Sequence, residues 1–388
     1  MGTSSLSIGI AGAGIGGLCA AIALHRLGHH VVLLEQSSDF LRVGADINLT
    51  PNAVKALDGL GVGEDIRETA ARPTHRISRQ WDSGEETSRL AMSNAAEEKY
   101  GAPQLTLHRP DLLRALARHF PLDQVLFSKK VATVGGIGDP ELKQVLVDCE
   151  DGRQHIFDAF IGADGIHSAV RRALWGDESG DNAPRFTGIV AFRAVVPVEK
   201  VQHVPNIQAF TKWWGPVSTS QIVTFPLNRG KDIFIFATIA QDSWHLESWT
   251  TQGNVDEFKH LFADFHPDAT ALLAACDEVL KTALYERDPM PQWGRGNVTL
   301  LGDACHPMLP FMAQGAGMAI EDAVVLGRTL KDVQNPAQIA PALQRYEAAR
   351  KPRTAQVQLG SRGNEWLKKG GDGDWVYGYD AWGVALGA

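Results

Sequence analysis

The sequence predicts an α/β fold: a Rossmann-like domain built on a Gly-x-Gly-x-x-Gly turn, with a β-sheet domain inserted into it and a helical C-terminal tail. Three observations carry this reading. A strand, a glycine turn, a helix and a second strand fill the first 34 residues, β-rich segments follow one another from Phe186 to Ala240, and a long helical run begins near Gly315. At 388 residues the chain exceeds the roughly 100 to 200 expected of a single domain.

In chain order, Leu6–Ile10 is a buried apolar strand, glycines follow, and Leu18–Leu27 has helical spacing that Gly28 ends. Val31–Leu34 is the next strand, which completes a right-handed βαβ unit. Pro51 and Gly61 bracket a short helix over Asn52–Leu60, and Pro110–Phe120 behind His108-Arg109 forms another. Val125–Val134 and Lys143–Cys149 alternate as strands, and Phe157–Gly162 is a buried strand running into the Asp164-Gly165 turn and a helix over Ser168–Trp175. Gly188–Val196, Ile207–Trp214, Gln221–Pro226 and Ile233–Ile239 supply the second sheet. Helical stretches at Val255–Phe265 and Ala269–Ala275, a strand at Asn297–Leu301 and the helix from Gly315 come next. The tail continues as a helix over Ala340–Leu367. The expected division is a discontinuous first domain at 1–72, 100–182 and 277–335, a β-sheet domain at 73–99 and 183–276, and a tail at 336–388.

Composition excludes several classes. Hydrophobic residues at 44% and charged residues at 21% are ordinary for a globular chain and exclude a disordered one. A net charge of −8 opposes attraction to nucleic acid or anionic lipid. Cys19, Cys149, Cys276 and Cys305 lie far apart with no CxxC pair, so neither a disulfide framework nor a zinc site is expected, and a reducing cytoplasm fits. Five glycines break the apolar stretch Leu6–Leu27, which reads as neither a signal peptide nor a membrane span.

Gly12-Ala-Gly14-Ile15-Gly16-Gly17 stands between a strand and a helix. In that setting Gly12 permits the tight turn, Gly14 lets backbone approach a pyrophosphate, and Gly17 lets helix and strand pack closely. The helix start adds free N–H groups and a positive dipole end. Glu35, followed by Gln36, closes the second strand where a carboxylate can accept from a ribose 2′-hydroxyl and would repel a 2′-phosphate, which points to FAD or NAD at this site. The competing reading is a plain glycine-rich turn in a chain with 39 glycines.

Two further motifs follow: Ile161-Gly-Ala-Asp164-Gly165 with Ser168 and Arg171 behind it, and Leu300-Leu-Gly302-Asp303-Ala-Cys-His306-Pro307 running through Pro310 to Gln314-Gly315-Ala316-Gly317. With the first, they resemble over essentially the whole chain the single-component FAD-dependent aromatic hydroxylases, the p-hydroxybenzoate and salicylate hydroxylase type. The resemblance implies that Gly12, Gly14, Ile15, Gly17, Glu35 and Gln36 hold the ADP half of FAD, with Arg42 and Ala45 also on the cofactor. It places Asp164 and Asp303 on the pyrophosphate and ribityl chain, Arg109 against the phosphates, and Pro310, Gly315, Ala316 and Gly317 at the isoalloxazine. Asp164 and Asp303 also fit simple turn or helix-cap roles, and Arg109 a surface role.

The chemistry so implied is reduction of FAD by NADH or NADPH, addition of dioxygen, and transfer of a hydroxyl from a flavin C4a-hydroperoxide to an electron-rich ring, with no metal. The pocket is expected near Phe192, Trp213, Trp214, Thr224, Pro226 and Phe236 on one side and Pro307–Met312 on the other, with Asn48, Arg193, Trp214, Thr224 and Pro310 as substrate contacts. Period-2 alternation lets only half of each strand face the pocket. Arg193 and Lys212 are candidates for a substrate carboxylate, or else solvated surface cations. His306 is a candidate for proton transfer, as a histidine within a motif, or else packs structurally beside the flavin; Cys305 reads as a small buried residue.

Within the family the resemblance divides between the 6-hydroxynicotinate 3-monooxygenase and salicylate hydroxylase branches. Lys212-Trp-Trp214 and Trp375-Val-Tyr-Gly-Tyr-Asp380 follow the former. Asp46-Ile47-Asn48 replaces its Gly-Ile-His, Ser220 and Thr224 replace its His and Tyr, and Ile222-Val-Thr-Phe-Pro226 follows the latter. The expected activity is hydroxylation, with or without decarboxylation, of a hydroxylated aromatic or N-heteroaromatic acid. A same-fold oxygenase of a urate-like or alkene substrate and a non-catalytic flavin-binding module are the alternatives. Coenzyme preference, a homodimeric state and the role of the Trp-rich tail from Trp366 to Trp382 stay open.

Overall fold

The computed structural model describes residues 5–40, 46–138, 144–176, 183–244, 251–364, 366 and 372–387. Strand β1 (Ser7–Ala11), helix α1 (Ile15–His25) and strand β2 (His30–Leu34) form the expected βαβ unit, with β1 and β2 parallel. The helix starts earlier than its apolar spacing predicts because Gly14 is its N-cap and the last two glycines of the turn are helical. There follow β3 (Ile47–Leu49), α2 (Pro51–Gly59), β4 (His75–Gln80), β5 (Glu86–Ala91), β6 (Leu105–Leu107) and α3 (Arg109–Ala117). The single strand expected over 125–134 is two, β7 (Val125–Leu126) and β8 (Val131–Gly135). Ser128, at φ 54°, turns the chain between them, and they join different sheets. Next come β9 (Val145–Cys149), β10 (Gln154–Phe157), β11 (Ala159–Gly162) and α4 (Ala169–Trp175).

The inserted sheet contains β12 (Arg185–Pro197), β13 (Phe210–Trp214), β14 (Gln221–Leu227) and β15 (Asp232–Ala240), followed by helices α5 (Val255–Leu261) and α6 (Pro267–Ala274). It also takes β16 (Leu280–Glu286), which pairs antiparallel with β12. This corrects the expected boundary at residue 276: the insertion runs ten residues further, because a strand pairs with β12 there. The chain returns through β17 (Gly294–Arg295) and β18 (Val298–Leu300), then runs into α7 (Gly315–Leu330) and α8 (Ile339–Gly360). Leu367, the expected end of the tail helix, lies outside the described residues.

Among the described residues the strands form a six-stranded sheet ordered β17-β18-β11-β1-β2-β7 and a seven-stranded sheet ordered β16-β12-β15-β14-β13-β4-β5. A meander of β8–β10 and the pair β3–β6 complete them. Nine of the eleven residues of α1 are buried, because α7 covers its outer side and the first sheet its inner side.

The seven-stranded sheet has two differently used faces. Phe192, Trp213, Ile222 and Ala237 pack with Phe258 and Phe262 of the α5 region and Leu272 and Leu273 of α6 into one apolar core. Thr224 lies opposite Ile235 on the same rear face. Phe192, Trp213, Thr224 and Pro226 were expected at the pocket. Strand parity corrects this, because a one-residue step turns each of them to the covered side. The front face is read by a single cross-strand row, Leu280–Arg193–Phe236–Val223–Lys212–Ser78, and it looks toward the first domain.

Candidate active site

A continuous cavity of about 760 Å³ runs from the first glycine turn to the front face of the inserted sheet. At its first end, Gly12 adopts φ +94°, and a Cβ there would lie 2.5 Å from the Ala163 carbonyl oxygen. At Gly17 a Cβ would lie 1.9 Å from the Gly12 carbonyl oxygen, so Gly17 serves packing and does not line the cavity. Gly14 has nothing within 4 Å of its Cβ direction and lines the cavity with Gly12 and Ile15. No side chain caps α1, so its first N–H groups remain for a ligand.

Glu35 and Gln36 are on the same wall. The Glu35 carboxylate accepts from the backbone N–H groups of Ala13 and Ser37, each at 2.8 Å, which leaves acceptor capacity for a ribose hydroxyl. Asp164 does two things at once. It lines the cavity, and it accepts from the Ser168 hydroxyl at 2.5 Å and the Ala169 N–H at 2.7 Å, which fixes the start of α4. Burial pushes its carboxyl up. Arg171 then donates to the carbonyls of Ile166 at 3.0 Å and Ala304 at 3.1 Å, tying the second motif to the third. Asp303 opens into the cavity but is walled by protein, so burial raises its carboxyl against the pull of His306 and Arg109.

Pro310, Gly315 and Ala316 line the cavity where α7 begins. The Gln314 side chain does not cap that helix. It donates to Thr50 Oγ1 at 2.9 Å and accepts from Asn52 Nδ2 at 3.0 Å. The N-terminal N–H groups of α7 are thus left facing the cavity. Gly317 is behind the wall; a Cβ there would come 3.1 Å from Gln314 Oε1. These residues fit the dinucleotide half and ring end of FAD. Two helix starts lack capping side chains, the turn is open at Gly14, and Arg109 is on the wall between them. Arg42 and Ala45 lie outside the described residues.

His306 is not on the cavity wall. It is 1% exposed, and its Nε2 is 2.5 Å from Asp322 Oδ2. Asp322 also accepts from the Gly302 N–H at 3.2 Å and from Arg350 Nε at 2.7 Å. Arg350 pairs in addition with Glu321 at 2.8 Å, and Arg353 forks onto the same Glu321. Burial opposes the charge on Asp322, yet His306 and Arg350 hold its carboxyl below the ordinary range. Cys305, whose thiol burial pushes well up, donates to the Gly302 carbonyl at 3.3 Å. The ligating atoms of Cys305, His306 and Asp322 all lie within 4.8 Å of one another, a grouping not expected from their spacing. Its geometry is that of a hydrogen-bonded network, since the imidazole faces the carboxylate and Arg350 supplies the countercharge.

At the other end, Arg193, Lys212, Phe225, Phe234 and Phe236 form the front-face floor. Arg193 donates to the Thr282 hydroxyl and lies 5.3 Å from the Phe236 ring centroid. Lys212 is 5% exposed, donates to Asn364 Oδ1 at 2.8 Å, and sits 3.5 Å above the Trp214 ring, so it is not a solvated surface cation. Trp214 supports Lys212 without lining the cavity, and Asn48 lines it while accepting from Gln104 Nε2 at 2.7 Å.

Among the wall residues that escaped the sequence reading of the site are Asp46, Arg76, Gln221 and Tyr377. Arg76 stands on the polar strand His75–Gln80, which no alternation revealed, and donates to the Trp366 carbonyl at 3.1 Å. Tyr377 belongs to the Trp-rich tail that the sequence singled out. Arg353 anchors that tail through the carbonyls of Trp375 and Val376, and Trp382 anchors it by donating to the Ala56 carbonyl.

Asp46 was visible only as a departure from the family pattern. Burial pushes its carboxyl up to about 6, against the pull of Arg193, Arg109 and His108. The folded state therefore holds this proton more tightly than the unfolded chain, so the stability Asp46 contributes is present at acid pH and lost as pH rises through about 6. Asp46→Asn should match the parent near about pH 4 and exceed it near about pH 7, read as the difference in urea midpoint of the cofactor-free proteins. A difference independent of pH would contradict this account of Asp46.

The family model described as "FAD binding domain" matches residues 5–360. The chain is 36% identical to the 6-hydroxynicotinate 3-monooxygenase of Pseudomonas fluorescens over 386 residues, 99% of this chain and 97% of that one. It is 35% identical to the 3-hydroxybenzoate 6-hydroxylase of Klebsiella oxytoca, over 91% of this chain and 86% of that one. A salicylate hydroxylase structure solved as a substrate complex superposes with a TM-score of 0.82 at 25% identity, over 98% of this chain and 97% of that one.

Proposed function

The chain belongs to the FAD-binding-domain family and is a flavin-dependent aromatic-ring monooxygenase; on that premise we propose that its substrate is a hydroxylated aromatic or N-heteroaromatic carboxylic acid. NADH or NADPH and dioxygen are its co-substrates. The observation that carries the substrate class is the joining of the dinucleotide cradle, within one cavity, to an aromatic floor bearing Arg193 and Lys212. Flat rings suit Phe225, Phe234 and Phe236, and an acid suits the cations. Its relatives act on a hydroxynicotinate and a hydroxybenzoate, compounds of that description.

FAD, when bound, supplies the redox and oxygen chemistry. The protein's own residues bind, orient and keep the site dry. Gly12, Gly14, Glu35 and Gln36 would hold the ADP half, Arg109, Asp164 and Asp303 the pyrophosphate and ribityl region, and Pro310, Gly315 and Ala316 the ring. The dipole of α7 favours negative charge at that ring. Phe225, Phe234, Leu309 and Phe311, packed in one apolar cluster, exclude water from the reacting atoms. His306 acts as a positioning residue: through Asp322 it holds the Gly302-Asp303 turn. The four unpaired cysteines support a cytoplasmic location. No helix among the described residues is long and apolar enough to cross a membrane.

The test is anaerobic stopped-flow reduction of the flavin by NADH and by NADPH, alone and with 6-hydroxynicotinate, 3-hydroxybenzoate, salicylate and their non-acidic analogues. One acid is expected to accelerate reduction strongly and to be hydroxylated when air is admitted. Equally slow reduction under every condition would overturn the proposal.

A further inference from the structure

The front face of the inserted sheet carries cations at two places whose surroundings differ. Arg193 on β12 and Lys212 on β13 lie in one cross-strand row, with Phe236 and Val223 between them. With strands about 4.8 Å apart, three spacings put their backbones roughly 14 Å from each other. Arg193 is held on Thr282 at one end of the row and Lys212 on Asn364 and the Trp214 ring at the other, so the two cations serve different places on the floor.

The Arg193 end adjoins the cofactor cradle. Asp46 feels Arg193 and also Arg109, and Arg109 in turn acts on Asp303 of the third motif. This end already holds a carboxylate, and a second anion placed there would meet Asp46. The Lys212 end is different. Arg76, on the next strand, stands opposite Phe210 two residues before Lys212, so both cations emerge on the same face. Arg76 forms no ion pair among the described residues; its contacts are a backbone carbonyl, Tyr377 and the Phe210 ring. One strand to the other side, Gln221 is 1% exposed and on the cavity wall, and its Oε1 accepts no hydrogen bond. A carboxylate set beside Lys212 and Arg76 would give Arg76 an ion-pair partner, and an adjacent hydroxyl or ring N–H would give Gln221 Oε1 a donor.

We propose that Lys212 and Arg76 form the substrate-carboxylate subsite, with Gln221 beside it, while Arg193 and Asp46 serve the cofactor end, so that the ring is presented to the flavin by an edge remote from its carboxylate. This rests on the acid-hydroxylase reading and makes it specific: hydroxylation is not decarboxylative. A ring C–H becomes C–OH with one atom of dioxygen. The other atom leaves as water, taking two electrons and a proton from NAD(P)H and one proton from solvent, and the bond between ring and carboxylate is kept.

The test uses the FAD-loaded enzyme, with 6-hydroxynicotinate, 3-hydroxybenzoate and salicylate each paired with its primary amide. Binding is read by flavin absorbance, turnover by coupled NAD(P)H oxidation, and products by mass spectrometry. Lys212→Met and Arg76→Gln are each expected to weaken the preferred acid by about 30-fold or more, to leave its amide unaffected, and to retain FAD. Lys212→Arg should recover most of the acid affinity, which a merely structural lysine would not predict. The product should keep its carboxylate. Equal effects on acid and amide, no effect on either, or one carbon dioxide per turnover would each overturn the subsite while leaving the hydroxylase reading intact. If no acid binds the parent better than its amide, the subsite and the acid reading fall together.

Discussion

Gly14→Val should yield a folded protein that no longer retains FAD, whereas Gly17→Ala should fail to fold stably although its added group is smaller. The two glycines lie three residues apart in one motif, and what a Cβ would meet differs completely. At Gly14 it meets open cavity, so the apoprotein tolerates a side chain, but that side chain stands where backbone must approach the pyrophosphate. The expected loss in FAD affinity is about 100-fold or more, about 3 kcal/mol. At Gly17 a Cβ lies 1.9 Å from the Gly12 carbonyl oxygen. Neither is the end of a flexible side chain, so α1 must move off β1 together with its buried face. A cost of about 4 kcal/mol or more is expected. The bound FAD-to-protein ratio, calorimetric titration with FAD and urea unfolding separate the two effects. A Gly17→Ala protein with the parent's urea midpoint, or a Gly14→Val protein that purifies with a full complement of FAD, would contradict this account.

The second large effect is expected at Arg350→Met. Arg350, Glu321 and Asp322 have fully buried side chains, and Arg350 bridges the two carboxylates at 2.8 and 2.7 Å. Its removal leaves Arg353 on Glu321 and His306 on Asp322, two buried anions with half their compensation gone. Breaking a buried network from one side costs about 3–5 kcal/mol. The sign of the pH dependence follows from Asp322, whose carboxyl is held low in the folded protein. Its stabilising contribution exists above the ordinary carboxylate pKa and disappears as pH falls through the folded value. Without Arg350 that carboxyl is easier to protonate, so the gap between variant and parent should be widest near neutrality and narrow toward acid. Urea unfolding at neutral and acid pH measures it, and a gap of constant size would show that Arg350 acts through packing alone. FAD retention should fall too, because Asp322 also holds the Gly302 N–H and α7 presents its N-terminus to the cavity.

The cofactor end was legible because its parts are local. A strand, a turn whose glycines make room for backbone, and a helix start are consecutive in sequence, so Gly12, Gly14 and Glu35 could be read together. Asp164 and Asp303 sit in equally local turns and both line the cavity, Asp164 while also fixing the start of α4. Sequence reasoning failed where a side chain's role depends on distant partners. His306 sits in the third motif but is fixed by Asp322 and Arg350, 16 and 28 residues apart in the links of that chain, and this withdraws it from the cavity. Thr224 and Phe192 have pocket-like chemistry and the wrong parity.

By itself, then, the sequence determined the βαβ dinucleotide cradle, the order of its three motifs, the inserted sheet and hence the class of chemistry. Each of these is written in spacings short enough for the chain to be read along its length. The tertiary structure alone decided which face of the sheet meets the flavin site, which puts Arg193 beside Asp46 and Lys212 beside Arg76. It also brought Tyr377 of the tail to the same wall. The physical reason is register. Strand pairing sets side-chain neighbours across segments far apart in the chain, and a slip of one residue exchanges pocket for core.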